Sequence, residues 1–441
     1  MTLNPFNIYR ISPALWEEPR CYWKTGKIDE KTTLRELPSR FRQDWEWKFE
    51  PVPSTSYYRI KGSDGFLWLY GGGVGGKLVT VTPQAHVVHH FTVKQMGAYF
   101  TIALKQHPTE LLECEDGNLG DSTQIRAAEA YSFPSDSWTE YSQIPSDAFR
   151  YLWKLDRADI DSKSWMNMLA KTKKLNELAI CGTHDSCAWK WSSANFSRTQ
   201  DLTILEQLRI GIRFVDIRLG PDFETYHGGK NDVSFEDVLK DIAGFLAESG
   251  SGHETIIMVI AGGDGLPSFA TDLRDVMNGG TAGGKITTRL NWYYENRVPA
   301  LSEVLGKVVL LRRYKDEQPN PPGIDLSMWG PVHSNDSFSA TGIGGVTSVE
   351  VQDEYSLTQN STKKGHIEKL LPSMAVPALT SQHWYINFTS AAKLQKPSWY
   401  SNDINPWLGA QLNFHQFMRG TFVMDYPSAA IVDRIIQFNF Q

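Results

Sequence analysis

The chain has 441 residues, 41% of them hydrophobic and 21% charged, and its formal net charge is -6. That length accommodates about two or three domains with cores of their own, and the acidic balance argues against a nucleic-acid partner, which asks for a basic footprint. The four cysteines, Cys21, Cys114, Cys181 and Cys187, form no C-x-x-C pair, so the sequence suggests reduced structural thiols and no zinc site.

The opening stretch MTLNPFNIYRISPALWEEPR has no basic segment leading into an apolar one, so it does not read as a secretory signal. The apolar runs TIIMVIA and KVVLLRRY are too short to span a bilayer. A cytoplasmic protein, or one that touches a membrane from its surface, is the expectation, with leaderless export left open. In that setting the N-x-S/T triplets at Asn195, Asn335, Asn360 and Asn387 read as chance.

Residues 1–147 are written in short strands and turns with a weak threefold pattern. NIYRIS (Asn7–Ser12), SYYRIKGSDG (Ser56–Gly65) and AYFTIAL (Ala98–Leu104) each open a segment, and the segments close near Trp45, Phe91 and Trp138. The period is about 45 residues, regular enough to count as an internal repeat. Three such units resemble a β-trefoil of the ricin-lectin type, with SDSW standing where that family has Q-x-W. The resemblance implies a glycan as the partner of this domain, although an aromatic in such a region is first of all a core residue.

SQIPSDAFRYLWKLDRAD marks the junction, with a linker expected over 148–163. Beyond it, apolar β-rich runs alternate with amphipathic stretches such as SFEDVLKDIAGFLAES, whose apolar positions recur at helical spacing. This βα alternation covers about 280 residues, the size of one TIM-type α/β barrel. Charged or polar residues close the runs: His184-Asp185, Asp216 and Arg218, Arg313-Tyr314, Asp353 and Tyr355, and Asp425. A barrel gathers strand ends from distant parts of the chain at one mouth, so these residues are candidates for a common cleft.

Several of these motifs, in this order, are similar to the X domain of phosphatidylinositol-specific phospholipase C in its small bacterial form. They are SWMNMLAKTKKLNELAICGTHDS, LEQLRIGIRFVDIRLG, YHGG, SFEDVLKDIAGFLAESGSGHETIIM, LGKVVLLRRY, VQDEY, DINPWLG and FVMDYP. The likeness runs from Ser164 to Pro427 and implies a barrel domain over 164–441.

The resemblance implies cleavage of phosphatidylinositol to diacylglycerol and a cyclic inositol phosphate by general acid–base catalysis. Attack by a neighbouring ring hydroxyl needs a base, an acid for the leaving oxygen, and a cation for the phosphoryl charge. His184 matches the family's base, with Asp425 as the carboxylate that orients it. His227 matches the acid, with Asp185 as its partner. Arg218 matches the phosphate-binding arginine, and Asp216 the carboxylate beside it. In calcium-dependent relatives an acidic residue stands at the place of Arg218, so a permanent cation there implies no metal and no other cofactor. Arg313 and Asp353 match residues that bond ring hydroxyls, and Tyr355 matches the tyrosine against the ring face.

The sequence departs from the family at Ala261, where a lysine is usual, and at Cys181 and Cys187, which replace a proline and a glycine. The loss of a donor at Ala261 leaves the headgroup open: another inositol lipid, glycosylated or not, or a soluble phosphodiester. An inert glycan- or lipid-binding protein is the alternative of a different class. Trp189 and Trp191 follow the first strand end and are candidates for a membrane-contacting rim, a place that suits an indole. Trp384, Trp399 and Trp407 lie near another strand end.

Overall fold

The computed structural model describes residues 9–13, 21–24, 33–36, 47–53, 55–62, 66–70, 77–81, 90–96, 99–105, 111–114, 125–128, 131, 133, 148–191, 196–220, 222–248, 250–263, 268–329, 338–341, 348–376, 383–413 and 415–440. Trp45, Trp138, Asn195 and Asn335, singled out above, lie outside them. The chain divides into two compact units, Met1–Ile160 with Leu408–Gln416, and Asp161–Trp407 with Phe417–Gln441.

The first unit is built from strands: β1 (Tyr9–Pro13), β2 (Cys21–Lys24), β3 (Thr33–Glu36), β4 (Lys48–Pro51), β5 (Tyr58–Lys61), β6 (Phe66–Tyr70), β7 (Lys77–Val81), β8 (Phe91–Met96), β9 (Tyr99–Leu104), β10 (Leu111–Cys114), β11 (Ile125–Ala128) and β12 (Trp153–Arg157). Every pairing described among them is antiparallel. Among the described residues, a core cluster includes Trp47, Phe49, Ile60, Phe91, Ile102 and Trp153. The three segments that open the sequence repeats contribute β1, β5 and β9. β12 lies inside the stretch expected to be a linker. It pairs with β1 from Tyr9↔Arg157 to Pro13↔Trp153, and the Trp153 indole donates to the Leu112 carbonyl at 3.0 Å.

From residue 161 the elements alternate: β13 (Ala179–Thr183), α1 (Ile204–Arg209), β14 (Phe214–Leu219), the hairpin β15 (Glu224–Tyr226) and β16 (Lys230–Ser234), α2 (Phe235–Ala247), β17 (Ile256–Gly262), α3 (Phe269–Met277), β18 (Trp292–Tyr293), α4 (Leu301–Val304), β19 (Val308–Arg313), β20 (Ile324–Asp325), β21 (Phe338–Thr341), β22 (Ser348–Gln352), α5 (Asn360–Met374), β23 (Trp384–Phe388), α6 (Pro397–Leu412), β24 (Gly420–Met424) and α7 (Ala429–Gln437). The strands form a curled, mainly parallel sheet in the order β18-β19-β17-β14-β13-β24-β23-β22-β21.

All residues of β13, β23 and β24 are buried, as expected for parallel strands covered on both faces. The helices α2, α3 and α7 each bury one apolar face. In α2 this face is Phe235, Val238, Leu239, Ile242 and Phe245, and the helix starts where the Ser234 hydroxyl accepts from the Asp237 N–H. At the N-terminal side of β14 and β17, Arg213 and Glu254 form a fully buried pair at 2.8 Å. Glu254 also accepts from the Asn167 N–H at 2.8 Å. That end of a parallel sheet is where charged residues serve stability; chemistry belongs at the other end.

Candidate active site

The strand ends bring the charged residues together. β13 is paired with β14 on one side and β24 on the other, so His184 and Asp425, which follow the ends of β13 and β24, and Asp216, inside β14, lie on three adjacent strands. The His184 N–H donates to the Met424 carbonyl at 3.0 Å. Asp185 then takes a left-handed backbone, φ 39°, a costly conformation for a non-glycine residue. The surroundings enforce it. The Asp185 N–H donates to Asp216 Oδ2 at 3.2 Å, and the Ser186 N–H to the Asp216 carbonyl at 3.0 Å. The Thr199 hydroxyl donates to the Asp185 carbonyl at 3.0 Å, and the Gln200 amide spans the His184 and Met424 carbonyls at 2.8 and 3.0 Å. This turn aims the carboxylate of Asp185 into the mouth.

Asp185 is the hub. Its Oδ2 lies 3.1 Å from His184 Nε2 and 3.0 Å from His227 Nε2, and its Oδ1 lies 3.0 Å from Arg218 Nε. Behind His184, Nδ1 meets Asp425 Oδ1 at 2.8 Å. Behind His227, Nδ1 lies 2.7 Å from the Ser197 carbonyl. A carbonyl only accepts, so Nδ1 of His227 carries a hydrogen and Nε2 faces the cleft. Arg218 also reaches Asp216 Oδ2 at 3.3 Å. The two imidazoles are nearly perpendicular, with centroids 5.5 Å apart.

Burial alone would strip the charge from His184. Asp185 and Asp425, one against each nitrogen, outweigh it and raise the pKa to about 10. Burial likewise works against the Asp185 carboxylate, but Arg218, His227 and His184 hold it well below the usual range. For Arg218, the carboxylates of Asp185 and Asp216 overcome burial and strengthen its hold on its proton.

Further round the mouth, Ala261 on β17 is in register with Arg218 on one side and Arg313 on the other. In-register neighbours in a parallel sheet point to the same face, so a methyl group separates two guanidinium-bearing positions. Arg313 stacks over the Trp329 ring at 3.6 Å and stands 3.9 Å from Asp353 Oδ2. Burial raises the pKa of Asp353 against the pull of Arg313 and Lys363. Tyr355 is exposed at the edge. Phe388, fully buried, packs edge-on to both His184 and Trp329, with centroids 6.1 and 5.3 Å apart.

The tryptophans differ from one another. Trp191 is half-buried, its indole N–H donates to Asn231 Oδ1 at 2.7 Å, and its ring edge lies over Gly229. It therefore braces the hairpin that carries His227. Trp189 is half-buried with the Lys190 ammonium 5.3 Å from its ring. Trp384 is a core residue bonded to the Thr421 hydroxyl at 3.0 Å. Trp399, Met328 and Leu394, which follow the ends of β23 and β20, are exposed. Asn387, in one of the N-x-S/T triplets, is fully buried.

His184, Asp185 and His227 offer ligand atoms within 4.8 Å of one another, a spacing that could hold a metal ion. Arg218 stands 3.0 Å from the carboxylate of that set, and a second cation there would be repelled. The residues therefore suit an anion next to Arg218 better than a resident divalent ion. Trp329, Phe388, Ser197 and Lys363 carry no motif that marks them in the sequence.

No family model matches the chain. A 1-phosphatidylinositol phosphodiesterase of Listeria monocytogenes is 25% identical over 298 residues, covering 64% of this chain and 86% of the relative. The protein of the same name from Staphylococcus aureus strain Newman is 27% identical over 300 residues, covering 63% and 94%. A solved S. aureus phosphatidylinositol-specific phospholipase C superposes with a TM-score of 0.54 at 25% identity, over 63% of this chain and 97% of that one. The L. monocytogenes enzyme does so with a TM-score of 0.50 at 23% identity, over 63% and 99%.

Proposed function

We propose that the chain is a phosphatidylinositol phosphodiesterase of the lyase type that works without a metal. It releases diacylglycerol and inositol 1,2-cyclic phosphate. The observation that carries this reading is one carboxylate, Asp185, set 3.1 and 3.0 Å from the Nε2 atoms of two histidines and 3.0 Å from an arginine. A site of this kind can take a proton on one side of a phosphate, give one on the other, and neutralise the charge between them.

In the proposed reaction the 2-hydroxyl of the ring attacks phosphorus while His184 Nε2 takes its proton. Asp425 holds the imidazole through Nδ1 and stabilises the cation that forms. The bond from phosphorus to the glycerol oxygen breaks, and His227 Nε2 protonates that oxygen. Because the Ser197 carbonyl fixes the hydrogen on Nδ1, His227 has a proton to give at Nε2 only as the imidazolium, which Asp185 stabilises. Arg218 binds the phosphoryl oxygens, and Asp216 holds Arg218. Productive turnover needs a proton on His227 Nε2 and none on His184 Nε2. Arg313, Asp353 and Tyr355 take up the ring.

Ala261, set between the positions of Arg218 and Arg313, favours a second reading in which the ring carries a further substituent, as in a glycosylated inositol lipid. Phosphorus NMR of the products from phosphatidylinositol, a glycosylated analogue and a soluble inositol phosphodiester tests both. A five-membered cyclic phosphate signal is expected from phosphatidylinositol. Turnover of the glycosylated analogue alone would select the second reading, an acyclic phosphomonoester as the first product would overturn the lyase reading, and no product from any of them would speak for a binding protein.

For the N-terminal residues we propose a β-trefoil that presents a glycan-binding surface. The twelve strands among its described residues fall into three groups of four, with β2–β3, β6–β7 and β10–β11 as the inner hairpins and β12–β1, β4–β5 and β8–β9 as the joints between groups. That pattern supports the threefold reading and draws β12 into the module. Membrane contact is proposed for the mouth, through the exposed Met328, Leu394 and Trp399 and through Trp189, whereas Trp191, a rim candidate by its sequence position, is assigned to the His227 hairpin.

A further inference from the structure

Lys363 sits in the first turn of α5 with a side chain fully removed from solvent. Among the described residues no carboxylate forms an ion pair with it. The ammonium donates instead to Gln352 Oε1 at 3.1 Å and to the Glu354 carbonyl at 2.7 Å. These two acceptors flank Asp353 in the chain. Gln352 is itself fixed: its amide donates to Asn387 Oδ1 at 2.8 Å and to the Phe388 carbonyl at 2.7 Å, and its Oε1 accepts from the Glu354 N–H at 3.0 Å.

A buried ammonium is a costly way to fill this space. It loses its hydration, and in the first turn of a helix it opposes the helix dipole. An apolar side chain of similar length would avoid both costs. What the cation adds is a clamp on each side of Asp353 and a positive charge whose field reaches Asp353 and Asp425.

We infer that Lys363 is a positioning residue for polyol binding: by clamping Gln352 and Glu354 it holds the Gln352–Asp353–Glu354 turn in the shape that presents Asp353 to ring hydroxyls. The inference rests on the reading of Asp353 as a ring-binding group.

The test is a double-mutant cycle on a soluble, monomeric inositol phosphodiester. Lys363→Met should raise KM by about tenfold with kcat changed by less than about threefold, the signature of lost binding. Against an Asp353→Asn background, the same substitution should add less than about twofold, because the pair acts as a unit. Gln352→Leu cuts the clamp from its other side and should raise KM in the same way if Lys363→Met fails to fold. An unchanged KM for Lys363→Met, or for Gln352→Leu in its place, beside a defective Asp353→Asn overturns the inference and leaves the ring-binding reading standing. So does a loss that is fully additive with Asp353→Asn. An Asp353→Asn protein with an unchanged KM removes both.

Discussion

His184 carries a carboxylate on each ring nitrogen, and that sets how the free site behaves. Its pKa is raised from 6.5 to about 10, with Asp185 and Asp425 overcoming burial. A raised histidine stabilises the fold fully below its unfolded value, and the contribution fades as pH climbs from 6.5 toward about 10. Nitrogen-detected NMR of the ligand-free protein should show His184 still protonated at pH 8, and Asp425→Asn should bring its titration back toward the ordinary range. A His184 that titrates normally in the unmodified protein would dismiss the two-carboxylate account. Arg218 yields a second residue-scale expectation. Its planar fork faces two carboxylates, and an ammonium cannot reproduce it. Arg218→Lys should lose at least about a hundredfold in turnover, and excess chelator should leave the unmodified protein as active as before. Calcium-restored activity after chelation would contradict the metal-free reading.

The ends of β13, β22 and β24 and the charged positions of β14 carry the candidate site, and they were legible because charged residues end or interrupt apolar runs there. The bracing of the turn at Asp185 was not legible. It depends on Thr199, Gln200 and Asp216, which approach from other parts of the chain. Trp191 shows the limit of sequence spacing. Its position suggests a rim, while its bond to Asn231 and its place over Gly229 tie it to the His227 hairpin. Met328, Leu394 and Trp399 are the more exposed apolar groups. Removing their apolar surface from water at roughly 25 cal/mol per Å2 would supply a few kcal/mol of adsorption. The triple alanine variant should therefore bind phosphatidylinositol vesicles about ten- to hundredfold more weakly and cleave a soluble substrate normally. Trp191→Ala should slow both substrates. Equal losses from the triple variant on vesicles and soluble substrate would assign those side chains to the fold.

Across the whole molecule, the change from short strands to βα alternation separated two units in the sequence. The expected linker over 148–163 hid β12, because WKLDR pairs with a strand at the other end of the unit and only the folded chain reveals that partner. If residues 1–160 are an independent trefoil, that fragment should unfold cooperatively on its own and bind immobilised glycans. A fragment that stays unfolded would reject the module reading. The central claim is the division of labour between the two histidines, and leaving-group dependence tests it most directly. A general acid matters when the leaving oxygen is a poor leaving group and matters little when it is a good one. His227→Ala should lose at least ~10²-fold on an alkyl phosphodiester of inositol and far less on the p-nitrophenyl ester, while His184→Ala should lose similarly on both. The opposite pattern, or equal loss from His227→Ala on the two esters, would contradict the assignment of acid and base.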